Sequence, residues 1–156
     1  MLFRSDRPEI RVVVVSEGLG ADWLRARAAE VRNLTLLPYQ PFERLPEVIA
    51  SGDVLLAILE SDAGAFSVPS KVLTYLCAGR PILGAIPVEN LATRVIARAG
   101  AGITVPPGEA EAFVLAAERL ATASAERKAL GNNALDYAHK TFDIRAIGDQ
   151  IGRAHV

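Results

Sequence analysis

The sequence predicts an α/β domain, a Rossmann-like open parallel sheet with helices on both faces. Three observations predict it. Short, continuous apolar runs recur along the chain, as expected of strands covered on both faces. Helical patterns separate them, so strand and helix alternate. After Val105 only helical patterns follow.

Residues 1–10 (MLFRSDRPEI) read as an N-terminal tail or the remnant of a truncated helix, with no apolar core of signal-peptide length. The domain proper spans 11–143. Its first strand is VVVV, Val12 to Val15, apolar on both faces. Ala21 to Val31 follows as a helix, with Trp23, Leu24, Ala28 and Val31 near one stripe. LTLL (Leu34 to Leu37) is the second strand, and Phe42 to Ala50 a short helix interrupted by Pro46. VLLAIL (Val54 to Leu59) is the third strand. Ser70 to Ala78 is a helix capped by Ser70 and stopped by Gly79. PILGAI (Pro81 to Ile86) is the fourth strand, Glu89 to Ala99 a helix ending at Gly100, and GITV (Gly102 to Val105) the fifth strand. Helices at Glu109 to Ala121 and Ala125 to Lys140 follow. Residues 144–156 form a C-terminal helix, Ile144 to Ile151, and a tail.

At 156 residues, 51% apolar and 22% charged, the chain has the make-up of one ordinary globular domain. A net charge of −1 gives no basic field for nucleic acid. No apolar run approaches the roughly 20 residues of a membrane span. The one cysteine, Cys77, lies in an apolar helical pattern and is expected in the core. A cytoplasmic location is expected.

GLGADW (Gly18 to Trp23) follows the first strand, where a dinucleotide fingerprint would lie. Trp23 occupies its third glycine position, so a tight strand-to-helix turn is the better reading. No phosphate-binding G-x-x-x-x-G-K-[ST] loop occurs. His139 and His155 have no ligand or nucleophile neighbours in sequence, and no metal or cofactor is expected. Asp53 precedes the third strand, the wrong end for a phosphoaspartate receiver. Arg94 and Arg98, four apart on a helix, read as a solvated face.

The stretch FSVPSK raises a sharper question, because Lys71 stands where a helix begins and cations are disfavoured there. The loop before it leaves the carboxyl end of a strand, the edge at which open parallel sheets bind ligands. The N–H groups of Ser70, Lys71 and Val72 are orphan donors that a diphosphate would satisfy, with Lys71 adding charge and Ser70 a hydroxyl. A capping Ser70 beside a solvated Lys71 is an equally weighted alternative. LPYQP (Leu37 to Pro41) follows another strand. There Tyr39 could stack on a base, the backbone of Pro38 and Gln40 could bond its edge, or the segment is only a rigid turn.

The ordered series LPYQPFERLPEVIASGDVLLAIL, VPSKVLTYLCAGRPILGAI, AGAGITVPPGEAEAFVLAAERL and ERKALGNNALDYAHKTFD resembles the C-terminal domain of GT-B-fold glycosyltransferases of family 4. The PSK variant is similar to colanic-acid and exopolysaccharide enzymes using UDP-activated N-acetylated hexoses. The resemblance covers roughly Arg11 to Asp143.

It implies a donor-binding domain of a retaining enzyme whose acceptor sits on a separate N-terminal domain. Pro38, Tyr39 and Gln40 would border the base; Ser67, Val68, Pro69, Ser70 and Lys71 the diphosphate and donor sugar. The position of Thr74 commonly holds a glutamate that bonds the ribose hydroxyls. The family's two glutamates eight residues apart fall here on Phe66 and Thr74, neither of them acidic. The implied partners are a UDP-sugar and a missing N-terminal domain, with no nucleic acid. The family's strand and helix before VVVV have no counterpart either. A fragment inactive on its own is therefore expected, with a homodimer through an exposed sheet edge. Two alternatives stay open: a non-catalytic nucleotide-binding or interaction module, and an unrelated structural α/β domain.

Overall fold

A computed structural model describes residues 7, 9–28, 30–64 and 69–143. The expected helix at 144–151, His155, Phe66, Ser67 and Val68 lie outside the described residues. The chain divides into two compact units, Met1–Val48 and Ile49–Val156.

The first unit is a β-α-β element. Strand β1 (Val12–Val15) pairs in parallel with β2 (Leu34–Leu37), Val12 opposite Leu34 and Val15 opposite Leu37. Helix α1 (Leu19–Ala28) crosses between them and packs on β2. It starts two residues earlier than expected, directly after Gly18, whose φ of 85° lets the chain turn sharply. A 3-10 turn (Phe42–Arg44) leads into α2 (Leu45–Ala50). Pro46 falls in the first turn of α2, where its missing N–H has no intrahelical partner to lose, so it does not interrupt the helix.

The second unit holds β3 (Leu55–Ile58), α3 (Ser70–Cys77), β4 (Ile82–Ala85), α4 (Leu91–Ala99), β5 (Gly102–Val105), α5 (Ala110–Thr122) and α6 (Ser124–Phe142). Its strands are parallel in the order β3-β4-β5, with Leu55, Ile82 and Gly102 in register at one end. Side chains alternate across central β4. Ile82 joins the core made with Val72 and Leu76 of α3, Ala92 and Ile96 of α4, and Ala134 and Ala138 of α6. Leu83, also buried, turns to the other face, where α5 brings Phe113, Ala116, Ala117 and Leu120. Helices thus cover both faces, as expected.

The strand pairing differs from one continuous ladder, because β1-β2 and β3-β4-β5 form separate parallel sheets. Burial differs too. Only β4 is buried over most of its length; Val13 on β1 is 50% exposed and Ile58 on β3 is 62% exposed. Ile58 ends β3, an outer strand of its sheet, so a short apolar run does not by itself imply two-sided burial.

Candidate functional site

Ile58, Ala85 and Val105 end their strands side by side, forming the carboxyl edge of the three-stranded sheet. A cleft of about 350 Å³ opens there, lined by Ile58, Leu59, Glu60, Ser61, Ala85, Pro107 and Gly108. Its first wall is a tight turn, closed by the Ala63 N–H donating to the Glu60 carbonyl at 3.1 Å. Gly108, at φ 90°, makes the opposite turn before α5.

Helix α3 begins on this edge because it follows β3. Its N-cap is Pro69, not Ser70, and no side chain caps it. Ser70 is the first helical position, and Pro69, which carries no side-chain acceptor, leaves the cap unmade. The Val72 N–H donates to the Pro69 carbonyl at 2.9 Å, so it is not an orphan donor. Those of Ser70 and Lys71 have no partner among the described residues.

Packing sets the phase of this helix. Val72 and Leu76, four apart and fully buried, turn one stripe inward. Ser70, Lys71 and Thr74 therefore face outward, and all are exposed. Cys77 shares that outer side and is exposed, which corrects its expected place in the core. An apolar neighbourhood in sequence says less than the angle around the helix. Tyr75 is half-buried against the core, and desolvation raises its phenol pKa above the ordinary 10.0.

Lys71 makes no hydrogen bond or ion pair among the described residues. The Thr74 hydroxyl donates to the Ser70 carbonyl at 3.1 Å, which leaves it lone pairs to offer a ligand but no proton.

In the first unit, Pro38, Tyr39 and Gln40 follow β2 at its carboxyl end. Tyr39 is 63% exposed, so its ring is open to solvent. Its backbone N–H donates to Glu17 Oε1 at 3.1 Å, and Gln40 Nε2 donates to the Pro38 carbonyl at 2.9 Å. The Pro38 carbonyl has therefore already accepted one bond. Sequence reasoning missed Glu17, whose tie to Tyr39 spans 22 residues and leaves no local signal.

A second cleft, about 310 Å³, opens at the amino edge of the three-stranded sheet between Asp53, Arg80, Ser124, Arg127 and Lys128. Asp53 does lie at the end opposite the strands' carboxyl termini. Both arginines here hold backbone carbonyls. Arg127 Nη1 donates to Leu120 and Ala121 at 2.6 and 2.8 Å, and Arg80 Nη2 to Ala50 at 2.7 Å.

Residues 2–123 match the family model described as "Glycosyl transferases group 1". The chain belongs to this glycosyltransferase family. Among solved structures it is similar to Anabaena HepE in complex with UDP, at TM-score 0.71 and 16% identity over 93% of this chain and 40% of that one. HepE in complex with UDP-glucose matches at TM-score 0.64 and 17% identity, over 85% of this chain and 35% of that one. WaaG, a glycosyltransferase involved in lipopolysaccharide biosynthesis, matches at TM-score 0.64 and 21% identity, over 90% of this chain and 36% of that one. Curated proteins give no sequence match. The group 1 chain thus spans about 40% of the length of the first of these neighbours. Its fold is the Rossmann-like fold of the GT-B glycosyltransferases, in agreement with the resemblance carried by the PYQP and VPSK segments.

Proposed function

We propose that this chain is the donor-binding half of a retaining glycosyltransferase. The parent enzyme moves a sugar from a UDP-sugar to a lipid-linked or saccharide acceptor in cell-surface polysaccharide synthesis, in the cytoplasm or at the inner face of its membrane. The observation that carries this reading is the uncapped, exposed first turn of α3, the helix that follows β3 from the carboxyl edge of the sheet. Two N–H groups and a lysine without partners among the described residues suit a diphosphate, and they would stabilise the charge that grows on it as the glycosidic bond breaks. HepE, with the same fold, is known with both UDP and UDP-glucose bound. Tyr39 would stack on the uracil, and Thr74 would accept a bond from a ribose hydroxyl. Acceptor groups would come from an N-terminal domain outside this chain. Purified alone, the chain transfers no sugar, and a free strand edge pairs two copies.

One observation favours a second reading, a nucleotide-binding module without catalysis. Where the family resemblance expects a carboxylate, Thr74 offers a hydroxyl already donated to the Ser70 carbonyl.

The test is a calorimetric titration with UDP, ADP and GDP on the chain and on Lys71→Ala. Selective UDP binding that weakens about tenfold in the variant is expected, from loss of one charge-assisted contact. No binding, or binding that ignores Lys71, removes the diphosphate from this turn. Turnover by the purified chain would overturn its inactivity.

A further inference from the structure

Asn90 does not line the carboxyl-edge cleft, yet it is bonded to the segment that follows one of its walls. Asn90 is 0% exposed and stands between β4 and α4. Its amide makes two bonds in opposite directions. Oδ1 accepts from the Ala92 N–H at 2.8 Å, capping α4. Nδ2 donates to the Gly64 carbonyl at 2.8 Å, 26 residues back in sequence. Its own N–H donates to the Pro87 carbonyl at 3.0 Å, and the Thr93 hydroxyl donates to that carbonyl at 3.0 Å. The loop carrying Asn90 is therefore fixed before the side chain reaches out.

Gly64 directly follows the Glu60–Ala63 turn, and Glu60 and Ser61 line the cleft. We infer that Asn90 is a positioning residue for the donor site: by clamping Gly64 to the start of α4, it holds the Glu60–Gly64 wall in binding geometry. This rests on the donor-site reading above.

A helix cap alone does not need asparagine, since serine and aspartate cap as well. Only asparagine combines the cap acceptor with a donor able to meet a carbonyl on the far side. A buried amide meeting both demands rigidifies the two loops it joins, whereas one left half-satisfied would be costly.

Asn90→Ser separates the two bonds: the hydroxyl still caps Ala92, but it is too short to reach Gly64. Asn90→Asp keeps the shape and the cap while turning an acceptor toward the Gly64 carbonyl. Leu120→Val, a core change on the α5 side away from the cleft, controls for general loss of stability. UDP affinity is measured by calorimetry well below each melting temperature, together with hydrogen exchange of the Ala63 amide.

Both Asn90 variants should bind UDP about tenfold more weakly than the wild-type chain, while Leu120→Val binds normally. Ala63 exchange should quicken in the Asn90 variants, with Leu83 in the middle of β4 unchanged. Wild-type binding with Asn90→Ser at full affinity, or no weaker than Leu120→Val, overturns the positioning role and leaves the nucleotide reading intact. Failure of the wild-type chain to bind UDP overturns both. Quickened exchange at Ala63 would then leave Asn90 as a clamp of the fold only.

Discussion

The two edges of the three-stranded sheet carry clefts of similar size, about 350 Å³ at the carboxyl edge and about 310 Å³ at the amino edge. Their polar groups are arranged differently. At the amino edge the two arginines are tied to the backbone: Arg127 holds carbonyls in the last turn of α5, and Arg80 holds the end of α2. Those carbonyls have no partner within their own helices, so the arginines complete the fold. At the carboxyl edge the helix starts are not all treated alike. Asn90 caps α4 from inside the protein, while α3 begins at a proline with no cap. The larger share of charge therefore marks the structural edge, and the open helix start marks the candidate site. Counting cations around a cleft would choose the amino edge instead.

The most severe test of this contrast is Gly102→Ala. A side chain there would overlap the Ile82 carbonyl on the neighbouring strand, at the amino end of the sheet. Forcing β4 and β5 apart should cost about 3 kcal/mol or more, read from urea unfolding. An unchanged midpoint would mean the strands are less closely held than the structure has them.

Next in size is Arg127→Ala. It uncovers two carbonyls at the end of α5 and should lower stability by about 2 kcal/mol, with UDP affinity unchanged. Weakened UDP binding would break the division between the edges.

A smaller effect comes from Tyr75, the half-buried anchor of α3. Its folded pKa lies above its unfolded value, so the stability it contributes is complete below pH 10 and declines as pH rises through the folded value. Tyr75→Phe should flatten the alkaline fall in stability relative to wild type. Parallel curves for the two proteins would remove the phenol from the balance.

Lys71→Ala should do least to the fold, staying within about 0.5 kcal/mol of wild type in urea, because its side chain is exposed and makes no bond among the described residues. Its effect belongs to UDP affinity alone. A clear loss of stability would make Lys71 structural and erase the contrast with Arg127.

The sequence by itself determined the order of strands and helices, since each strand needs only a local apolar run and each helix a local period. It located Gly100 as the stop of α4, where a left-handed residue at φ 58° ends the helix. It also brought Lys71 forward, because a cation at a helix start is anomalous without reference to any neighbour. The expected helix start at Glu89 passed over Asn90 as the cap of α4, and its bond to Gly64 joins residues that no local pattern relates. The same holds for Glu17 with Tyr39 and for Arg127 with the end of α5. Exposure of Cys77 followed from the burial of Val72 and Leu76, which fixed the rotation of α3. Only the tertiary structure decided these points. Periodicity and propensity act over a few residues, whereas the partner of a buried amide or a free carbonyl is chosen by whatever packing brings within 3 Å.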